Sequence, residues 1–118
     1  MDKQIIRQTK RIRRHARIRA KIKGTLQCPR FSVFRSNRGM ALQLIDDEAG
    51  KTLVSAVAKE IKAKKLNKTE MAAELGKLLA SKAVAKKIDC AVFDKSFYKF
   101  HGRIKAAAEG ARAGGLKF

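Results

Sequence analysis

The chain has 118 residues, the length of one domain with a single core. Lys and Arg number 29 against 10 Asp and Glu, a formal charge of +19, beside an ordinary 45% of hydrophobic residues. A fold this basic repels itself until a polyanion neutralises it, and no apolar run approaches the roughly 18 residues that span a bilayer. The polyanions available are nucleic acid, an anionic membrane surface and acidic proteins; the membrane reading is weak, and nucleic acid is the expected partner.

The charge is concentrated at the start. Residues 1–23 carry Lys3, Arg7, Lys10, Arg11, Arg13, Arg14, Arg17, Arg19, Lys21 and Lys23 against Asp2 alone. Ile12 with Ala16 and Ile18 with Ile22 have helical spacing, but arginine at nearly every second place opposes burial and repels its neighbours. The expectation is a basic RNA-binding tail, disordered or frayed alone and helical against phosphate. Mitochondrial transit peptides are also Arg-rich, but they are Ser-rich as well, and this segment has no Ser.

Gly24 and Pro29 punctuate the boundary with a globular domain over residues 24–118. The period then changes to two. Residues 31–36 read as a strand and Asn37-Arg38-Gly39 as a tight turn. A second strand over 40–46 places Leu42 and Leu44 on one face and Gln43 on the other. The turn Asp47-Glu48-Ala49-Gly50 leads into a third strand over 51–57, which completes an antiparallel meander.

Residues 59–66 form a basic connection with a helical turn. Asn67 and Glu70 have capping-box spacing, and Met71, Leu75, Leu78, Leu79 and Ala83 follow as one helical stripe. Residues 88–93 read as a short buried strand. An Ala-rich helix over 103–113 ends at Gly114 and Gly115, with Leu116 placed to fold back; Gly110 inside it should cost about 1 kcal/mol relative to Ala. The predicted class is α/β, with a mixed sheet of order 3-2-1-4 in which the fourth strand runs parallel to the first.

Two groups in this domain have the chemistry to meet RNA. Residues 94–103 interleave Phe97, Tyr98, Phe100 and His101 with Lys95, Lys99 and Arg103, at the end of a strand and the start of a helix. Aromatic faces stack on unpaired bases, cations hold the backbone, and a helix N-terminus adds free amides. Two of the three aromatics are equally well explained as core. The second group is Arg30, Arg35, Asn37 and Arg38 on the first strand and its turn, suited to phosphate and 2′-hydroxyl contacts.

Catalysis finds no support. Asp46, Asp47, Glu48, Asp89 and Asp94 are the carboxylates a two-metal nuclease would draw on, yet the first strand has no acid and Asp46 to Glu48 sit in a turn. There is no P-loop, no GxGxxG and no Ser-His-Asp arrangement. Cys28 and Cys90 lie far apart with no CxxC pair, so two reduced thiols in a cytosolic chain are expected rather than a disulfide scaffold or zinc site. No cofactor or metal is called for.

The run Pro29-Arg30-Phe31-Ser32-Val33-Phe34-Arg35-Ser36-Asn37, then Gln43-Leu44-Ile45-Asp46-Asp47, resembles the opening hairpin of the bacterial large-subunit ribosomal protein L-eighteen family. The ending resembles it too: Val92-Phe93-Asp94, His101-Gly102-Arg103-Ile104-Lys105-Ala106, Ala111-Arg112, Gly114-Gly115-Leu116 and Phe118. The pattern departs from the family at Lys95-Ser96-Phe97 and at Gly39-Met40. The resemblance implies a cytoplasmic, non-enzymatic component of the large ribosomal subunit. It would bind 5S ribosomal RNA and help attach it to the large-subunit ribosomal RNA in the central protuberance, beside neighbouring ribosomal proteins. It further implies RNA contacts from the tail's arginines and lysines, Arg35, Ser36, Asn37, Arg38, Lys99, His101, Gly102 and Arg103. The alternative reading is a free RNA chaperone or a nonspecific nucleic-acid-binding protein.

Overall fold

The computed structural model describes residues 3–36, 39–61, 67–96 and 98–118. Helix α1 (Lys3–Arg19) precedes strands β1 (Arg30–Ser36), β2 (Gly39–Asp46) and β3 (Lys51–Val57). A 3-10 turn (Ala58–Glu60), helix α2 (Lys68–Ala85), strand β4 (Val92–Asp94) and helix α3 (Arg103–Ala113) follow. The strands form one mixed sheet in the order β3-β2-β1-β4, with β1 antiparallel to β2 and parallel to β4, as the sequence predicts.

Strand alternation divides the sheet into two faces. Phe31, Val33, Met40, Leu42, Leu44, Val54 and Ala56 are buried in a core with Leu75, Leu79 and Ile104 of the helices. Phe31 has no exposed surface, and its ring lies 5.2 Å from that of Phe93 and 5.5 Å from that of Phe118. The opposite face carries Arg30, Ser32 and Phe34 of β1.

The buried face of α2 is wider than the leucine stripe. Ala72, Gly76 and Ala80 are buried as well, because α3 packs there. A Cβ on Gly76 would lie 2.1 Å from the carbonyl oxygen of Ala107, and one on Gly110 would lie 2.2 Å from that of Ala73. The two helices thus meet backbone to backbone through reciprocal glycines. This contact explains the helix-interior glycine at 110, whose intrinsic cost is outweighed by packing.

The helix-end signals are realised at the end of α3 and in the Asn half of the Asn67–Glu70 box. There the Glu70 carboxylate meets the Asn67 side chain in place of its backbone N–H. Asn67 Oδ1 accepts from the Glu70 N–H at 2.8 Å, while Asn67 Nδ2 donates to Glu70 Oε1 at 3.3 Å. After α3, the Gly115 N–H donates to Arg112 O and the Leu116 N–H to Ala111 O, both at 3.1 Å, and Leu116 is buried. This is a Schellman ending, with Gly115 at φ 107°. Edge strand β3 is guarded: Lys82 Nζ donates to Ser55 O at 2.9 Å and Lys86 Nζ to Leu53 O at 2.7 Å.

Three expectations are corrected. The strand expected over 88–93 is confined to Val92–Asp94, because the residues before it pair with the C-terminal segment: Ala91 N donates to Lys117 O and Lys117 N to Asp89 O. The tail expected to be frayed alone is helical over Lys3–Arg19, anchored through its C-terminal turns. Cys28 and Cys90, expected as separate thiols, form a disulfide with Cα atoms 5.0 Å apart. Parallel pairing of Arg30 with Val92 sets residues 28 and 90 opposite each other two positions upstream. The helical turn of the connection lies at Ala58–Glu60, and residues 62–66 fall outside the described residues.

Candidate nucleic-acid interface

Most of α1 stands clear of the body. Apart from His15, Ile18 and Arg19, which are half-buried, its residues are exposed; Ile22 continues the half-buried side just beyond the helix. The spacing 15, 18, 19, 22 is one helical face. His15 Nε2 approaches Asp94 Oδ2 at 3.5 Å, and Arg19 Nη1 meets Asp47 Oδ2 at 3.2 Å. Arg7, Lys10, Arg11, Arg13, Arg14 and Arg17 are all exposed on the helix, as are Lys21 and Lys23 beyond it.

Beneath this latch is an ion-pair cluster. Arg30 Nη1 donates to Asp94 Oδ2 at 2.8 Å, and Arg30 Nε donates to Asp47 Oδ2 at 3.1 Å. Asp94 has no exposed side-chain surface, and its Oδ1 accepts from the Ser96 N–H at 2.8 Å. Asp47 Oδ2 also accepts from the Gly24 N–H at 2.7 Å. Burial alone would raise the Asp47 carboxyl, but the Gly24 amide, the Arg30 hydrogen bond and charge, and Arg19 outweigh it and hold its pKa at about 2.

The cluster gives several residues singled out in the sequence partners within the chain. The Arg30 side chain is only 11% exposed and is engaged by two carboxylates of its own chain. Asp47 and Asp94 serve as its counter-ions, and Asp46 Oδ1 accepts from the Glu48 and Ala49 amides in the turn. Among the described residues no group of three His, Cys, Asp or Glu side chains could hold a metal ion. None of their helices is long and apolar enough to cross a membrane. The latch through His15 was missed because nothing local links residue 15 to residue 94.

The two candidate groups from the domain converge. The Arg35 guanidinium lies over the Tyr98 ring, 5.0 Å from its centroid. The Tyr98 hydroxyl accepts from the Arg35 N–H and donates to the Arg35 carbonyl, each at 3.0 Å. Arg103 lines a shallow cleft with Gly39, Met40 and Lys68, so the start of α3 borders the first hairpin. Gly102, at φ 57°, caps α3 in a conformation that L side chains rarely adopt, and a Cβ there would meet nothing within 4 Å. Lys99 and His101 are exposed and Lys95 is half-buried. Of the aromatics, Tyr98 is buried, while Phe100 is 42% exposed with its ring against Phe93. Asn37, Arg38 and Phe97, and the side chain of Ser36, lie outside the described residues.

A projecting cationic helix latched to a four-stranded α/β body has the charge and layout of a class, the small basic proteins that bind polyanions. Comparison with known proteins narrows it. Residues 5–118 match the family described as ribosomal L18 of archaea, bacteria, mitochondria and chloroplasts. The chain is 53% identical over 109 residues to large ribosomal subunit protein uL18 of Pediococcus pentosaceus, covering 92% of each chain. It is 52% identical over 117 residues to the uL18 protein of Streptococcus suis, covering 99% of this chain and 93% of the relative. The chain belongs to this family of large-subunit ribosomal proteins.

Proposed function

We propose that the chain binds 5S ribosomal RNA and helps fix it to the large-subunit ribosomal RNA in the central protuberance, as a scaffold rather than an enzyme. The observation that carries this reading is the exposed cationic helix on a body that matches the ribosomal family over residues 5–118. The arm over 1–23 and the body over 24–118 take separate tasks. Lysines and arginines of the arm displace counterions from phosphate, a contribution that does not depend on sequence. The surface that selects the RNA is formed by Arg35 with Lys95, Lys99, His101, Gly102 and Arg103 at the start of α3, and Ser36, Asn37 and Arg38 are proposed as further RNA contacts. Arg30 supports that surface from within, holding the arm's landing site in place.

The test is a competition titration of 5S ribosomal RNA against transfer RNA at two salt concentrations. A preference for 5S RNA that persists at the higher salt is the expected result. Equal binding that collapses with salt would leave only a nonspecific cation, the RNA-chaperone reading.

A further inference from the structure

The open face of the sheet carries a feature that the arm and the hairpin tip do not account for. Phe34 is 61% exposed on β1, two residues from the strand's hairpin end. Its partner on β2 is Ala41, whose partner on β3 is Val57, 40% exposed. Ala41 is too small to cover the ring, and among the described residues Phe34 joins none of the aromatic contacts that tie Phe31, Phe93, Phe100 and Phe118 together. The next row on the same face is polar, with Ser32 opposite Gln43 and Gln43 opposite Ser55. A single exposed phenylalanine needs no explanation; an apolar row on a central strand, backed by a row of hydroxyl and amide groups, does.

We propose that Phe34 is a stacking platform for one unpaired RNA base, with Ser32, Gln43 and Ser55 placed to hydrogen-bond the base edge or ribose. The proposal rests on the RNA-binding reading and adds a site to it. Charge argues for a nucleotide over a protein segment. Asp94 lies opposite Ser32 on this face, and it is there that His15 of the cationic helix lands, so a strand following the helix's arginines is led onto the sheet. Lys59 stands beside Phe34 and Val57 at the other margin, positioned for the phosphate of the stacked nucleotide. Three side chains fall far short of the roughly 800 Å² per partner of a standard protein interface. An aromatic face stacks on any base, whereas the polar row supplies the groups that discriminate.

The experiment compares Phe34→Ala, Phe34→Leu and Phe34→Trp in the full chain, titrated with 5S ribosomal RNA and with transfer RNA. Melting curves serve as a folding control, and Phe34 is exposed enough that all three should fold. Stacking predicts about a ten-fold loss of 5S affinity for Phe34→Ala and a similar loss for Phe34→Leu, with Phe34→Trp at or above the parent. In 5S RNA carrying 4-thiouridine, photocrosslinks should map to position 34 in the parent. Leucine binding like the parent, or no change with alanine, overturns the platform. Normal RNA binding with defective incorporation into large subunits also overturns it, and assigns the patch to a neighbouring protein. If the parent does not prefer 5S over transfer RNA, the 5S reading fails, and the platform is judged by the same substitutions against either RNA.

Discussion

Arg30 and Asp94 form a contact that ties the first strand to the last, with Nη1 donating to a carboxylate oxygen at 2.8 Å on side chains 11% and 0% exposed. An arginine that reads as an RNA ligand in sequence is the internal counter-ion of a buried acid. Arg30→Ala leaves Asp94 desolvated with only the Ser96 amide and the more distant His15. Breaking a buried pair from one side costs about 3–5 kcal/mol. The urea midpoint should fall accordingly, and lost RNA binding should track the unfolded fraction rather than reveal a missing contact.

The same cluster sets an acid limit. Asp47 is held at about 2 in the fold, against an ordinary value of 3.8. A depressed carboxyl contributes its stability above the unfolded value and loses it as pH falls toward the folded value. The contribution, on the order of 2 kcal/mol, is therefore intact above pH 4 and fades between about pH 4 and 2. Asp47→Asn should flatten the dependence of the urea midpoint on pH in that window, lowering stability at pH 6 more than at pH 2.

Gly76 and Gly110 should resist a substitution that usually stabilises helices. Gly→Ala in a helix interior gains roughly 1 kcal/mol from propensity. Here the new methyl meets a carbonyl oxygen of the facing helix at 2.1 or 2.2 Å, so backbone must move. Overpacking of this kind costs about 1–3 kcal/mol or more. Both single variants should melt below the parent.

Removing residues 1–23 should weaken binding to every RNA and flatten the dependence of affinity on salt. Arg35→Ala or Arg103→Ala should instead reduce 5S affinity selectively, by about 1–3 kcal/mol on the scale of a good bidentate contact. Parental behaviour of both point variants in the competition titration would move the RNA-selecting surface elsewhere on the body.

The Cys28–Cys90 bond joins positions 62 residues apart. Closing a loop of that length in the unfolded chain is worth about 2–4 kcal/mol. Adding reductant, or Cys28→Ser with Cys90→Ser, should lower the melting temperature. Affinity for RNA should hold below that temperature, since the arm and the hairpin tip keep their supports.

What the sequence by itself determined is what local chemistry decides. Alternation in residues 31–57 made the meander, Asn67 with Glu70 started α2, and Gly114, Gly115 and Leu116 ended α3, because each depends on neighbours a few residues apart. Charge in the first 23 residues announced a polyanion, since net charge needs no fold. What only the tertiary structure decided is where distant positions meet. Register between two parallel strands brings Cys28 to Cys90 and places Asp94 opposite Ser32, where Arg30 and His15 reach it. Helix crossing makes Gly76 and Gly110 assets rather than liabilities. Pairing Phe34 with Ala41 leaves one ring open on the sheet. No period or spacing along the chain encodes these meetings, because they follow from the packing of elements whose separation in sequence has no bearing on their separation in space.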